Sequence, residues 1–256
     1  MDNIGKIDPE DIENKISDLY LTFGDEKNDL LDGFSPNLYY KKYDTSTLLE
    51  ALKEHVNKNV PISDYLCEAI IDKKDVDLIV KYLLNDVSDQ FTVYLLNLLN
   101  DCGGKLPTSR LIEFLLYDYS NTVFELATEM LKSEANFVKE RLLEVFDDLD
   151  VLKKEAVCEI LSNANIDERI TKLLLFELRN NPEKLPLYVS FLVKYNDESV
   201  LPYLYEKIED DKISYADFEE LRFAIESLGG NYNKKRDFSH DKSYKKITNT
   251  IHKTTT

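Results

Sequence analysis

Two segments of equal length, far apart in the chain, share the end signals of a complete α-helix. The first is SDQFTVYLLNLLNDCGG, residues 88–104, and the second is SYADFEELRFAIESLGG, residues 214–230. Each begins with Ser, whose hydroxyl can accept a hydrogen bond from a free N–H at a helix start. Each ends with Gly-Gly, which suits the positive φ that commonly follows a helix. Both segments are therefore predicted to be helices with defined ends.

The interiors of the two segments carry the same apolar stripe. Apolar residues recur at the i, i+3, i+4, i+7 spacing of an amphipathic helix. The matching sets are Leu95, Leu98, Leu99 and Cys102 in the first segment and Leu221, Ala224, Ile225 and Leu228 in the second. A second amphipathic segment precedes each of them, DVDLIVKYLLND and ESVLPYLYEKIEDD. The predicted unit is therefore a pair of helices.

Comparable helix ends recur along the chain with an interval of about 31 residues, which is typical of a helical solenoid. The ends lie near Asp72, Gly103, Ala135, Ala164, Asn196 and Gly229. The first helices of the pairs are predicted over 46–58, 75–85, 108–117, 136–147, 167–180 and 199–209. The second helices are predicted over 63–71, 88–102, 121–132, 151–163, 184–195 and 214–228. An irregular all-α globule with coincidental spacing is the alternative.

The pairs resemble HEAT-like (armadillo-type) repeats, with an apolar first helix, a short polar turn and a second helix that ends near Leu-Gly. The resemblance covers about residues 44–230 and implies a right-handed α-α superhelix of about six helix pairs. Tetratricopeptide repeats are disfavoured because the chain has no Trp, and the Thr-Pro-Leu-His of ankyrin repeats is absent. The fold class predicted for this chain is thus all-α.

The two ends differ from the repeats. Residues 1–43 are interpreted as an N-terminal capping helix, opened by Asp8-Pro9, and a connector containing Tyr39, Tyr40 and Tyr43. The connector's aromatics are expected to pack on the repeats, since no polar constellation supports a ligand-binding loop. Residues 231–256 are basic and are interpreted as a solvated, flexible tail. The alternative is that Lys234, Lys235, Arg236, Lys245 and Lys246 fold back onto acidic helices or meet an acidic partner.

The charge of the chain constrains its partners. The net charge is −17, and the segment from residue 231 onward carries seven Lys or Arg against two Asp, so residues 1–230 carry −22. Such a body repels phosphate backbones, so nucleic acid is excluded as a partner and a basic protein is favoured. Acidity that serves only solubility is the alternative.

Cellular location is inferred from cysteines and apolar runs. Cys67, Cys102 and Cys158 are widely separated and form no CxxC pair, which favours reduced thiols and the cytoplasm. Acidic residues interrupt the start of the chain, unlike a signal peptide. No apolar run approaches 18 residues, so no membrane contact is expected.

Catalytic and metal motifs are missing from the sequence. HExxH, GxSxG, the Walker A motif and GxGxxG are all absent. A His55–Cys67 nucleophile pair is disfavoured, because Cys67 shares an apolar stripe with Leu66 and Ile70. Residues 206–221, EKIEDDKISYADFEEL, fail as a calcium loop, since Ile208 and Asp211 occupy the positions of a ligand and of Gly. Neither a metal nor a cofactor is predicted.

The predicted function is a non-enzymatic interaction scaffold with an acidic binding surface and a basic protein partner. One form would be a bacterial immunity or adaptor protein that masks a cationic toxin or enzyme. If the second helices line the concave face, positions off the apolar stripes contact the partner. These positions are Asn97, Asn100, Ser190, Lys194, Glu219, Phe223 and Glu226. The alternative is a HEAT-repeat modifying enzyme of the lyase type, which needs a pocket with a perturbed Asp, His or Cys.

Overall fold

The chain is all-α. The computed structural model describes residues 22–85, 88–241 and 244–245, and within them there is no strand. Helices of eight or more residues in these ranges are α1 (Thr45–Asn57), α2 (Asp64–Lys73), α3 (Val76–Leu83), α4 (Asp89–Cys102), α5 (Thr108–Leu116), α6 (Asn121–Lys132), α7 (Ala135–Val145), α8 (Val151–Leu161), α9 (Glu168–Asn180), α10 (Leu185–Tyr195), α11 (Leu201–Ile208) and α12 (Tyr215–Ser227). Every bound lies within about two residues of the predicted one. The predicted capping helix lies, up to residue 21, outside the described residues.

The described residues fall into two compact units. One comprises those up to residue 110 together with 118–126, and the other comprises 111–117 together with those from residue 127 onward. The first unit contains α1 to α4, the second contains α7 to α12, and the division falls within α5 and α6.

Short polar side chains start the helices, as the sequence predicts for Ser88 and Ser214. The hydroxyl of Ser214 accepts the N–H of Asp217 at 3.1 Å, and that of Ser88 accepts the N–H of Phe91 at 3.4 Å. Each such bond satisfies one of the free donors of a first helical turn. Gly229, with a φ of 82°, follows the end of α12, in the left-handed region where Gly carries no steric cost.

Within the second unit, α10 is the most enclosed helix. It packs against α8, α9 and α12, and its Leu192 is fully buried. Within the first unit, α4 packs against α1, α2 and α3, and Leu95 is fully buried there. Each fully buried leucine contributes about 1.5–3 kcal/mol relative to an exposed one.

Side chains that bridge successive helix pairs join residues roughly one predicted interval apart. The Tyr82 hydroxyl donates to Glu50 at 2.6 Å, across 32 positions of sequence. In the other unit, Thr171 Oγ1 donates to Asp197 across 26 positions. The first spacing matches the predicted interval of about 31 residues, and the second is five residues shorter.

The segment that follows α12 differs from the expected solvated tail. We call residues 231–241 the strap. Within it, Tyr232 and Phe238 are each only 8% exposed, and their rings lie 5.8 Å and 5.0 Å from the ring of Phe218 in α12. The Lys234 ammonium forms an ion pair with Glu209. Burial of two aromatic rings offsets the entropy of ordering the strap. Lys234 beside Glu209 and Arg236 beside Asp211 follow the alternative in which the basic side chains fold back onto acidic residues.

Candidate functional site

Helix α10 presents a narrow exposed stripe, because α8, α9 and α12 enclose its other sides. Tyr188, Val189 and Leu192 face the interior. Ser190 and Lys194, two of the predicted partner-binding residues, are exposed one turn apart. This i, i+4 spacing places both side chains on one face of the helix.

Helix α12 packs against α10 and carries Phe223, one of the seven predicted contact positions. Phe218, Leu221 and Ile225 are buried on its inner face, whereas Phe223 is 63% exposed. Of the predicted contacts on α12, Glu226 is exposed and Glu219 is half-buried in an ion pair with Arg222.

The exposed face of α12 combines an apolar ring with negative charge. The helix carries four carboxylates against one arginine. Exposed large apolar side chains bordered by charge are typical of protein contacts. The predicted positions on these two packed helices, Ser190 and Lys194 on α10 and Glu219, Phe223 and Glu226 on α12, are together called the α10–α12 face below.

The other two predicted contacts lie in the other compact unit. Asn97 and Asn100 are both exposed on α4, where Leu95, Leu98 and Leu99 are buried. The α10–α12 face therefore contains five of the seven predicted residues, and Asn97 and Asn100 form a separate exposed stripe.

Further exposed apolar side chains on the second unit were not predicted from the sequence. Phe137 on α7 is 74% exposed and Ile166 is 63% exposed. The residues that precede them meet, because the N–H of Asn165 donates to Asn136 Oδ1 at 2.8 Å. Phe137 lies off the buried stripe of its helix. A search of the first helices of the pairs for apolar residues off their stripes would therefore have identified it.

The connector before α1 contains an aromatic box that surrounds a lysine. Lys42 Nζ lies 4.3 Å from the ring centroid of Tyr39, 4.7 Å from that of Phe34 and 5.0 Å from that of Tyr43. The same ammonium pairs with Asp32 at 3.2 Å. Cation–π contacts of this kind stabilise exposed sites by about 0.5–1 kcal/mol each. The tyrosines thus bind the ammonium group of Lys42, which belongs to the connector itself. The sequence interpretation did not identify this lysine as their partner.

The cysteines are poorly suited to nucleophilic catalysis. Burial raises the pKa of the Cys67 thiol to about 11, and nearby Asp64 adds to the effect. Burial likewise raises the pKa of Cys102 and Cys158. Because the thiolate is the reactive form, these thiols are weak nucleophiles at neutral pH. None of these three cysteines therefore provides the activated thiol that the lyase-type alternative would need.

A cavity of about 290 Å³ lies between α1 and α3, within the first unit. Its lining is polar with one leucine and consists of Ser46, Glu50, Lys53, Leu78, Lys81, Tyr82 and Asn85. Neither His55 nor Cys67 contributes to it. Elsewhere in the described ranges, no group of three or more His, Cys, Asp or Glu side chains is arranged to hold a metal ion.

An ion-pair network at the start of α9 predicts a pH-dependent stability. Asp167 accepts bonds from the Arg169 side chain and N–H, and these hold its pKa well below the ordinary value. A lowered folded pKa contributes stability that is present above the unfolded value of about 3.9 and is lost as the pH falls below it. Asp167→Asn keeps a side-chain oxygen at the helix start but removes the charge, so it should cost about 0.5–1 kcal/mol at pH 7, the range of a partly exposed ion pair.

Urea unfolding midpoints measured from pH 7 to pH 3 test this prediction. The difference between wild type and Asp167→Asn should shrink as the pH falls below about 4, because the unfolded aspartate then takes up a proton. The same substitution at exposed Asp147 is the matched control and should give a small difference. A pH-independent difference at residue 167 would contradict the electrostatic origin.

Comparisons with known proteins assign no relative. No family model matches the chain, and neither a curated protein nor a solved structure matches it significantly. Among the described residues, no helix has the length and apolarity needed to cross a bilayer. Function is therefore inferred from the exposed residues and their charges.

Proposed function

We propose that this chain is a non-enzymatic protein-binding scaffold whose partner is a basic protein. The observation that carries the proposal is Phe223, a phenylalanine 63% exposed on a helix with four carboxylates. An aromatic ring exposed to water is unfavourable in free energy unless a partner covers it. Aromatic residues also dominate binding hot spots. The surrounding carboxylates would attract Lys and Arg of the partner and speed encounter.

A HEAT-like solenoid of about six pairs is the architecture we propose for the scaffold. In a solenoid each repeat contacts only its neighbours, and bridging hydrogen bonds about one interval apart are consistent with this rule. The stacking of α10 on both α8 and α12 supports it as well. An immunity-type inhibitor that covers a cationic surface is one form such a scaffold would take.

Capture of partners from native lysate tests the proposal. Wild type should retain a basic protein, and Phe223→Ala should weaken binding of the purified partner about 30-fold, as expected for loss of a hot spot of about 2 kcal/mol. Phe137→Ala, which removes an equally exposed ring on α7, is the matched control and should bind as wild type does.

Salt provides the second arm of this experiment. Glu219→Gln with Glu226→Gln should weaken binding at low ionic strength and lose most of that effect at high salt, because exposed charge pairs are screened. Recovery of only acidic proteins or nucleic acids would contradict the proposal. Binding of the partner by Phe223→Ala with wild-type affinity would contradict it as well.

A further inference from the structure

The strap crosses the end of α11 and lies on α12 without forming a helix or strand of its own. Three side chains hold it: Tyr232 and Phe238 are buried, and Arg236 is half-buried, while most residues between them are exposed. The Phe238 ring contacts those of Phe218 and Tyr215, with centroids 5.0 Å and 5.3 Å apart. A segment without helix or strand that is anchored by a few spaced side chains can lie on a protein surface as a bound peptide does.

Arg236 makes the most specific contacts of the strap. Its Nη1 donates to the main-chain oxygen of Asp210 at 2.8 Å and to that of Ile208 at 3.4 Å. Its Nη2 lies 3.6 Å from the Asp211 carboxylate. Carbonyl oxygens at a helix end carry partial negative charge, and the fixed fork of a guanidinium matches several acceptors at once. A cover that only shields apolar rings would need none of these contacts.

The exit of the chain from α12 fixes the register of the strap. A Cβ at Gly230 would lie 2.6 Å from Tyr205 Oη and 2.7 Å from Ile225 Cγ2, so only glycine fits between the two side chains. The Tyr205 hydroxyl then accepts the N–H of Asn231 at 2.9 Å. These contacts aim the following residues along α12.

We propose that the end of α11 and the Phe218 side of α12 form a binding site for a basic segment of the partner, which the strap occupies as an internal ligand. The ligand class is a peptide with an arginine, an aromatic residue two positions after it and another four positions before it, as in Tyr232, Arg236 and Phe238. This inference rests on the proposed basic partner and assigns the strap a competitive, autoinhibitory role. Tethering gives the strap an effective concentration of about millimolar, so a partner segment binds only after overcoming it.

Fluorescence anisotropy with a labelled synthetic peptide of residues 230–241 tests the proposal on the full chain. Wild type should bind this probe weakly, because the strap already fills the site. R236A/F238A, in which the strap lacks two anchors, should bind at least tenfold more tightly. The probe carrying the same two alanines should not bind. K235A is the control: it removes one exposed positive charge from the strap and should behave as wild type does.

The competing outcome is a permanent structural cover. If R236A/F238A keeps its helical circular dichroism and binds the probe no more tightly than wild type, the proposal is overturned. If that variant loses helicity, R236A, which keeps both rings, is tested in its place. R236A should also bind the probe at least tenfold more tightly than wild type, and the proposal is overturned if it does not. No partner is present in this assay, so its failure leaves the Phe223 test untouched, and the converse also holds.

Discussion

Tyr188→Ala is expected to lower the free energy of unfolding by about 3–5 kcal/mol, the range for removing a buried aromatic side chain. Tyr188 is only 1% exposed on α10, and its ring meets Phe191 edge-on with centroids 5.9 Å apart. The enclosing helices are held by several other contacts and cannot collapse into the space, so most of the cavity would remain.

The hydroxyl of Tyr188 makes a separable contribution. Burial raises the pKa of this phenol, and nearby carboxylates, including Glu177, raise it further, so it stays protonated and donates toward Glu177. Glu177 is itself only 6% exposed. Tyr188→Phe should therefore cost about 1–2 kcal/mol, since it leaves a buried carboxylate with one donor fewer.

Urea denaturation of both variants checks these values, with Tyr117→Ala as the control. Tyr117 is 65% exposed and should cost about 0.5 kcal/mol or less. Equal losses for Tyr188→Phe and Tyr188→Ala would show that the hydroxyl, and not the packing of the ring, stabilises α10.

Asp197→Ala is expected to destabilise the protein by about 3 kcal/mol, although the change removes only one small side chain. Asp197 lies just before α11 and is 9% exposed. Its carboxylate accepts Thr171 Oγ1 at 2.6 Å and the N–H of Ser199 at 3.0 Å. Alanine would leave the buried Thr171 hydroxyl without this acceptor and would uncap the chain before α11.

The pH dependence of stability provides a second test of the role of Asp197. Burial raises its pKa, but the bonds from Thr171 and Ser199 outweigh burial and hold it below the ordinary value. Its contribution should thus be complete above about pH 4 and decline below it. Thermal or urea unfolding at pH 7 measures the main effect, and exposed Glu198→Ala is the adjacent control, expected within about 0.5 kcal/mol of wild type. A loss at Asp197 no larger than this control would refute the buried-acceptor argument.

The helices could be located from the sequence because their signals are local. A cap such as Ser214 acts within one turn, and the stripe of Leu221, Ala224 and Ile225 repeats at the helical period, so both can be read without knowing what packs on them. The same stripe indicated that Phe223 would be left outside, and the structure places it there.

The exposure of two of the proposed contact residues follows from the same periodicity. Ser190 and Lys194 lie off the apolar stripe of α10 and are exposed, as predicted. Phe137 was overlooked because the search was confined to the second helices of the pairs. Whether these surfaces bind a partner depends on groups outside this chain, about which helical periodicity carries no information.

The sequence by itself located the helices of 44–230 to within about two residues, because caps and apolar periodicity depend on neighbouring residues alone. Only the tertiary structure decided which charged side chains are held by other groups of the protein. Arg236 reaches the carbonyl oxygen of Ile208 at the end of α11 and that of Asp210 just after it, 28 and 26 positions earlier in the chain. Lys42 lies among three rings of the connector. Composition marks both side chains as solvated, but a charged group is held wherever packing brings enough acceptors or ring faces within reach to replace its water.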